Sequence, residues 1–301
     1  MLDYSALRAV AAVVQAGSFE QAAHSLNVTP SAISQRVKQL EERLGLVLIV
    51  RGAPCVATEK GAWLCRHMEQ VGMLEGELLR HLPAAGIGAA RHKVTLHVAT
   101  NADSLGTWFL KAVSHFTRRS EHLLNLAVDD QDHTAEWLQR GHVVAAVTSL
   151  GKPVQGCRRV ALGALRYRAT ASPDFMVRHF PKGVTPDALA LAPALTFNQK
   201  DRLQGQWLQQ VVGRKFAHPT HWLPSTQSFV DGAVMGIGWG MNPIQLVDQH
   251  LRSGRLIELI PDTPIDIPLF WQVNRLSADH LAELTREVVA VARSELVDGK
   301  L

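Results

Sequence analysis

Ser31, Ser34, Gln35 and Lys38 fall on one side of a stretch that reads as a helix from residue 30 to about residue 44. Two short hydroxyls, an amide and a cation near a helix start can exchange hydrogen bonds with base edges in a duplex major groove, while the helix amino end meets phosphate. A solvated polar face has the same make-up, so the flanking elements must decide between the two. A second set, Ala99-Thr100-Asn101-Ala102-Asp103-Ser104, is a strand end running into a helix start. Exposed N–H groups there suit a carboxylate, although capping by Asp103 or Ser104 explains the same residues, and the two roles are compatible. A third set, Asp129, Asp130 and Asp132, follows the next strand and can receive a cation or simply line a solvated loop.

The elements around the first set are short helices. Residues 5–15 place Leu7, Val10, Ala11 and Val14 on one face, and Gly17 ends the run. Ser18 caps a helix at 19–26, whose Ala22 and Ala23 permit a close crossing. Thr29 and Pro30 then pair a capping hydroxyl with a proline at the first helical position, where its missing N–H costs nothing. Along the third helix Ile33, Val37, Leu40 and Leu44 define a buried face, and Gly45 stops it. Extended runs at 46–51 and 55–58 follow, joined by a turn at 52–54, which makes a small wing. Arg51 and Lys60 sit where such a wing meets a phosphate backbone, and contacts of that kind position a protein without reading sequence. Residues 1–60 hold six Lys/Arg against five Asp/Glu, so any affinity for a polyanion comes from placement and not from total charge.

The sequence SFEQAAHSLNVTPSAISQRVKQLEERLGLVLIVR, followed by TEKG, resembles the DNA-binding domain of LysR-type transcriptional regulators over about sixty contiguous residues. The resemblance implies a winged helix-turn-helix on double-stranded DNA, with base contacts from Pro30, Ser31, Ser34 and Gln35 beside the cap Thr29. Arg36, Lys38, Arg51, Thr58 and Lys60 are then the residues for backbone contacts. Proline at position 30 replaces a glutamine found in many relatives and removes one base-reading side chain.

Residues 59–82 contain no proline and repeat Leu64, Met68, Val71, Leu74, Leu78 and Leu82 at three- and four-residue spacing. Such a seam either packs on its own domain or pairs with a second copy. The resemblance implies pairing, hence a homodimer or homotetramer that meets RNA polymerase at target promoters. Residues 83–88, PAAGIG, break the helix as a hinge.

Beyond residue 93 strands alternate with helices. Strands are expected at 94–99, 123–128, 143–148, 195–197 and 237–241, and helices at 104–117, 134–139, 202–211, 225–234 and 243–251. Repeated βα units predict an α/β fold with ligands beyond the carboxyl ends of the strands. The run 265–273 and the helix 278–296 are expected to return to the first lobe. The organisation is then a mainly α winged helix-turn-helix at 1–58, a linker helix and hinge at 59–88, and an α/β effector-binding domain at 89–301. The resemblance implies that this last domain is two-lobed and periplasmic-binding-protein-like, with lobe I at about 89–163 and 265–301 and lobe II at about 164–264.

NADSLGTWFL, the VDD after LNLA, and LFWQ resemble the ArgP/LysG branch of the family, regulators of basic amino-acid export once described as inhibitors of chromosome initiation. That likeness implies arginine or lysine as the effector, its carboxylate near Asn101, Ala102, Asp103 and Ser104 and its cationic end near Asp129 or Asp130. Thr148, Ser225, Thr226 and Trp271 are further wall residues. An architectural protein of A·T-rich or replication-origin DNA, indifferent to metabolites, is the alternative.

Composition narrows the classes. Three cysteines, Cys55, Cys65 and Cys157, make neither a disulfide framework nor a four-ligand zinc site, and 14 histidines are scattered without a metal-binding motif, so no metal or cofactor is expected. GxSxG, GxGxxG and GxxxxGK[ST] are all missing, which argues against an enzyme on the same scaffold. GIGWG at 236–240 reads as a turn into a strand. With no apolar run of bilayer length and no basic, apolar leader at the start, a cytoplasmic protein is expected.

Overall fold

The computed structural model describes residues 2–81, 94–129, 134–214 and 216–299. The chain divides into two compact units, residues 1–95 and 96–301. Asp130, Asp132, Leu82 and the expected hinge at 83–88 lie outside the described residues.

The first unit runs α1 (Tyr4–Ala16), α2 (Phe19–Ser25), α3 (Pro30–Leu44), β1 (Ile49–Val50), β2 (Val56–Ala57) and α4 (Glu59–His81). Its helices start on side-chain caps: Asp3 accepts from the N–H groups of Ser5 and Ala6, Ser18 from Gln21, and Thr29 from Ala32. Gly17 and Gly45 end α1 and α3 at φ +72° and +66°, a region that glycine enters without a Cβ penalty. Leu7, Val10, Val13, Ala22, Ala23, Ile33, Val37, Leu40 and Leu48 form one core. Leu44, expected on the buried face of α3, is exposed, because the last turn of α3 runs out beyond that core.

The wing is shorter than expected, two residues per antiparallel strand, with Ile49 opposite Ala57 and Val50 opposite Val56. The Glu41 carboxylate accepts from the N–H groups of Leu48 (2.7 Å) and Ile49 (3.3 Å), which ties the wing to α3. Gly61 packs against the same segment: a Cβ there would stand 2.0 Å from the Leu48 carbonyl oxygen. On α4, Leu64 and Met68 pack on the unit's own core. Leu74, further along the same seam, is 56% exposed, and the side chains of Leu78 and Leu82 lie outside the described part.

The second unit contains β3 (Thr95–Asn101), α5 (Ala102–Ser104), a π-helical turn at Leu105–Phe109, α6 (Leu110–Thr117), β4 (Leu123–Asp129), α7 (Thr134–Gln139), β5 (Ala145–Thr148) and β6 (Cys157–Ala171). It continues with α8 (Pro173–His179), α9 (Pro186–Leu191), β7 (Ala194–Thr196), α10 (Leu203–Val212), β8 (Thr220–Trp222) and α11 (Thr226–Val234). The last elements are β9 (Gly240–Pro243), α12 (Ile244–Arg252), β10 (Ile257–Glu258), β11 (Ile265–Asn274) and α13 (Ala282–Glu295). Strands β6, β8 and β10 and helices α8 and α9 have no counterpart among the expected elements, and the expected helix at 278–296 begins only at residue 282, after a 3-10 turn at Arg275–Ser277.

One sheet carries the order β10-β6-β11-β5-β3-β4, with β9 also paired to β6, while β7 and β8 form a separate parallel pair. β6 and β11 are antiparallel over ten residue pairs, from Ile265 opposite Tyr167 to Asn274 opposite Cys157. Their ladder shifts register between Leu269 and Phe270. Gly163 faces that shift at φ +119°, and a Cβ there would meet the Val297 carbonyl at 2.9 Å. On one side of the shift β11 also pairs with β5, and on the other β6 also pairs with β9 and β10, so the two strands run through both lobes. Among the described residues no helix is long and apolar enough to cross a membrane.

All three cysteines are free. Burial first, then the Glu69 carboxylate, pushes the Cys65 thiol from its ordinary 9.0 up to about 11, with Arg66 pulling the other way. At pH 8 only about one such thiol in a thousand is ionised, so iodoacetamide should leave Cys65 unmodified in the native protein. The native state holds this proton more tightly than the unfolded chain does, so its contribution to stability is present below pH 9 and is lost as pH rises toward about 11. Peptide mass spectrometry after alkylation is the check, and rapid modification of Cys65 at pH 8 contradicts the assignment.

Candidate functional site

Two sites emerge, one in each unit. In the first, Thr29, Pro30, Ser31, Gln35 and Lys38 are exposed and Ser34 and Arg36 half-buried along α3 and its cap; Ser31, Ser34, Gln35 and Lys38 turn away from Ile33, Val37 and Leu40, and Pro30 and Arg36 flank that buried face. The Thr29 and Ser31 hydroxyls stand 3.0 Å apart at the helix start, and Lys38 reaches the Glu42 carboxylate at 3.7 Å. The wing residues are more occupied than the spacing suggested. The Arg51 guanidinium lies over the Phe19 ring at 5.1 Å, and the Lys60 ammonium over Trp63 at 3.7 Å. The Thr58 hydroxyl donates to the Val47 carbonyl (2.8 Å) and accepts from the Gly61 N–H (3.1 Å), so it fastens the start of α4 to the wing.

The second site is a cleft of about 680 Å³, counted out to its mouth, between the two halves of the second unit. Asn101, Ala102, Asp103, Asp129 and Thr226 line it, together with residues that the spacing rules did not single out: Phe197, Lys200, Asp201, Arg202, Leu203, Gln206, Phe229, Met241, Asn242 and Pro243. β3 delivers Asn101, whose side chain caps the following helical run by accepting from the Ser104 N–H at 3.3 Å. The cap is therefore Asn101 and not Asp103 or Ser104. Asp103 has a different task, accepting from the Tyr167 hydroxyl at 2.7 Å and from the Thr226 hydroxyl at 3.1 Å. One carboxylate thus joins the helix start after β3, the through-strand β6 and the start of α11. Gly106 allows the approach, since a Cβ there would already touch Thr226 at 3.4 Å.

Asp129, the last residue of β4, accepts from the Trp137 indole N–H at 3.1 Å and faces the Lys200 ammonium at 3.9 Å. Lys200 and Arg202 come from a loop that its own side chains hold. Asn198 accepts from the N–H groups of Lys200 and Asp201, and Asp201 accepts from Phe197 and Leu203. This loop follows the end of β7, so the carboxyl-end rule applied to Asp129 reaches it too.

Four expected wall residues lie elsewhere. Trp271 is fully buried, its indole N–H donating to Thr285 at 3.0 Å and its ring 6.2 Å from that of Phe109, so it is core. Thr148 is buried and accepts from the Leu150 N–H at 3.1 Å, a turn at the end of β5. Ser104 is buried inside the helical run, and Ser225 caps α11 by accepting from the Ser228 N–H at 3.4 Å. All four side chains answer local packing or capping needs and do not line the cleft. Asp130 lies outside the described residues.

A helix-turn-helix ahead of a two-lobed α/β unit is the layout that the comparisons find. The lysR family of bacterial regulatory helix-turn-helix proteins matches residues 4–62, and the LysR substrate binding domain matches residues 89–296. The chain belongs to the LysR family of transcription regulators. The regulator ArgP of Pseudomonas aeruginosa is 43% identical over 298 residues, 99% of this chain and 98% of that protein. The C-terminal domains of a LysR family protein from Agrobacterium tumefaciens are 64% identical with a TM-score of 0.67, covering 68% of this chain and 99% of that one. Full-length LysG from Corynebacterium glutamicum, solved with bound effector arginine, is 34% identical with a TM-score of 0.66, over 98% of this chain and all of that one.

In this LysR regulator the glycines of GIGWG serve packing as well as turning. Gly236 turns the chain at φ +72°, and a Cβ on Gly240 would lie 2.4 Å from the ring of Phe229, a cleft residue. Gly240→Ala should therefore cost about 1 to 3 kcal/mol of stability by displacing Phe229. Gly205→Ala, in open space on α10, should be neutral or stabilise by about 0.4 to 1 kcal/mol. Urea unfolding of both variants checks this pair, and equal midpoints would contradict it.

Proposed function

We propose that this LysR-type regulator binds double-stranded DNA through α3 and the wing, and senses a basic amino acid, arginine or lysine, in the cleft. The genes it controls then include a basic amino-acid exporter. One observation carries the effector reading: the cleft sets the start of a helical run, at Ala102 and Asp103, against the three carboxylates of Asp103, Asp129 and Asp201. Helix N–H groups suit an α-carboxylate and the acids suit the cationic groups, so the cleft matches a zwitterion with one extra positive charge. The likeness to LysG of Corynebacterium glutamicum, whose effector is arginine, supports the same reading.

In this reading the cationic end of the effector takes the place of Lys200 beside Asp129. Their separation of 3.9 Å with Lys200 exposed is a loose pairing, easily exchanged. Effector bound between the lobes favours one lobe angle over another, and a dimer or tetramer paired through α4 converts that change into the spacing and bend of its DNA contacts at promoters served by RNA polymerase. A ligand shifts such an equilibrium only by its differential affinity for the two arrangements.

Calorimetric titration of the full-length protein should show binding of arginine or lysine and none of citrulline or glutamate. Asp129→Asn should weaken the cation by about tenfold or more. Failure of arginine and lysine alike to bind removes the effector assignment. On DNA, Gln35→Ala should cost about 1 to 3 kcal/mol on the specific site and little on random sequence. Arg51→Ala should weaken both equally, as a backbone contact does. Electrophoretic shifts on cognate and random duplexes separate the two, and equal losses for Gln35→Ala withdraw it from base reading.

A further inference from the structure

Arg51 stands between β1 and the turn of the wing and is exposed. Its guanidinium lies 5.1 Å from the centre of the Phe19 ring and, among the described residues, makes neither an ion pair nor a hydrogen bond. Phe19 opens α2 and is half-buried against the core of the first unit, which fixes its ring. The wing is fastened to this same corner. The Cys55 N–H donates to the Gly17 carbonyl at 2.7 Å, and a Cβ on Gly17, which turns the chain at φ +72°, would stand 3.1 Å from the Pro54 side chain. Ring and cation thus belong to two segments anchored on each other. Lys60, the other wing cation, has the same kind of seat, over Trp63 at 3.7 Å, whereas Arg8 and Lys38 face the carboxylates of Glu75 at 2.8 Å and Glu42 at 3.7 Å.

The two kinds of partner differ in what they leave behind. A carboxylate holds a cation by opposing its charge, and that charge is what attracts phosphate. An aromatic ring holds it through its quadrupole and has no net charge to oppose it. The guanidinium also keeps its N–H donors for phosphate oxygens, and an arginine already seated has less rotamer freedom to lose on binding. Resting on the reading of Arg51 as a DNA-backbone contact, we infer that Phe19 is a positioning residue for DNA binding: its ring holds the Arg51 guanidinium, with its charge intact, at the place where the wing meets phosphate. Such a contact carries no base information, so it acts on any sequence alike.

The test is a double-mutant cycle on a random-sequence duplex of about 30 base pairs at about 50 mM salt, read by fluorescence anisotropy with the full-length protein. Arg51→Ala should weaken binding about tenfold. Phe19→Leu keeps an apolar side chain against the core and should weaken binding about two- to fivefold, the worth of a cation–π contact at an exposed site. In the Arg51→Ala background Phe19→Leu should cost nothing further, since the ring then has no cation to place. Phe19→Tyr, which keeps the ring, should bind as wild type does. A Phe19 that only supports the fold predicts instead the same loss with or without Arg51. If Phe19→Leu does not fold, Phe19→Met is read through the same cycle. Wild-type affinity in Phe19→Leu, a loss that persists without Arg51, or a tyrosine variant as weak as the leucine one overturns the positioning role and leaves the Arg51 contact standing. Wild-type affinity in Arg51→Ala removes that contact and this inference with it.

Discussion

The antiparallel ribbon of β6 and β11 carries the effector unit. These are its two longest strands, they pair over ten positions, and β11 takes β5 as a further partner on one side of the shift at Leu269 and Phe270 while β6 takes β9 and β10 on the other. A continuous hydrogen-bonded ribbon resists shear along its length but bends and twists where its register breaks. The register breaks at Gly163, a position whose φ of +119° and contact with the Val297 carbonyl leave no room for a side chain. Everything that lines the cleft hangs from one half or the other, so a bend at that point changes the cleft without disturbing either half.

Asp103 is the polar counterpart of that ribbon. Its carboxylate accepts from Tyr167 on β6 and from Thr226 at the start of α11, and it sits in the helical run that leaves β3. The carboxylate thereby holds the two halves of the unit together. Hydrogen bonds of this kind are short and charge-assisted, and they gain strength as water leaves the cleft.

In the first unit the governing constraint is close approach. Glu41, Thr58 and Gly61 all converge on the segment at Leu48: a carboxylate accepts its N–H, a hydroxyl and a backbone N–H donate to its carbonyl, and a missing side chain lets α4 lie against it. These contacts tie α3, the wing and α4 into one body. The polar side of α3 takes no part in the core and is presented as a set of hydroxyls, an amide and a cation on a rigid helix. Preorganisation of that kind lets a few side chains discriminate between base edges.

Local signals in the sequence carried the first unit almost completely. Caps, a proline at a helix start, stop glycines and a three-four apolar repeat act within a few residues, and α3 begins and ends where Thr29, Pro30 and Gly45 place it. They also marked the polar face of α3 and the strand-to-helix junction at Asn101–Ser104, because both rest on residue type and spacing along one element. Tertiary structure decided the rest. Strand β6 went unrecognised because its 15 residues, CRRVALGALRYRATA, mix arginines with apolar residues, and only pairing with β9, β10 and β11 buries them. Trp271 read as a wall residue and is core, since an indole within a strand carries no sign in the sequence of which side of the sheet it faces. The loop of Lys200 and Arg202, and Asn242 on its short strand, reach the cleft only because the chain crosses between lobes and returns. Periodicity records which residues want to be buried, whereas partners far apart in the chain meet through topology, and a cleft is made almost wholly of such meetings.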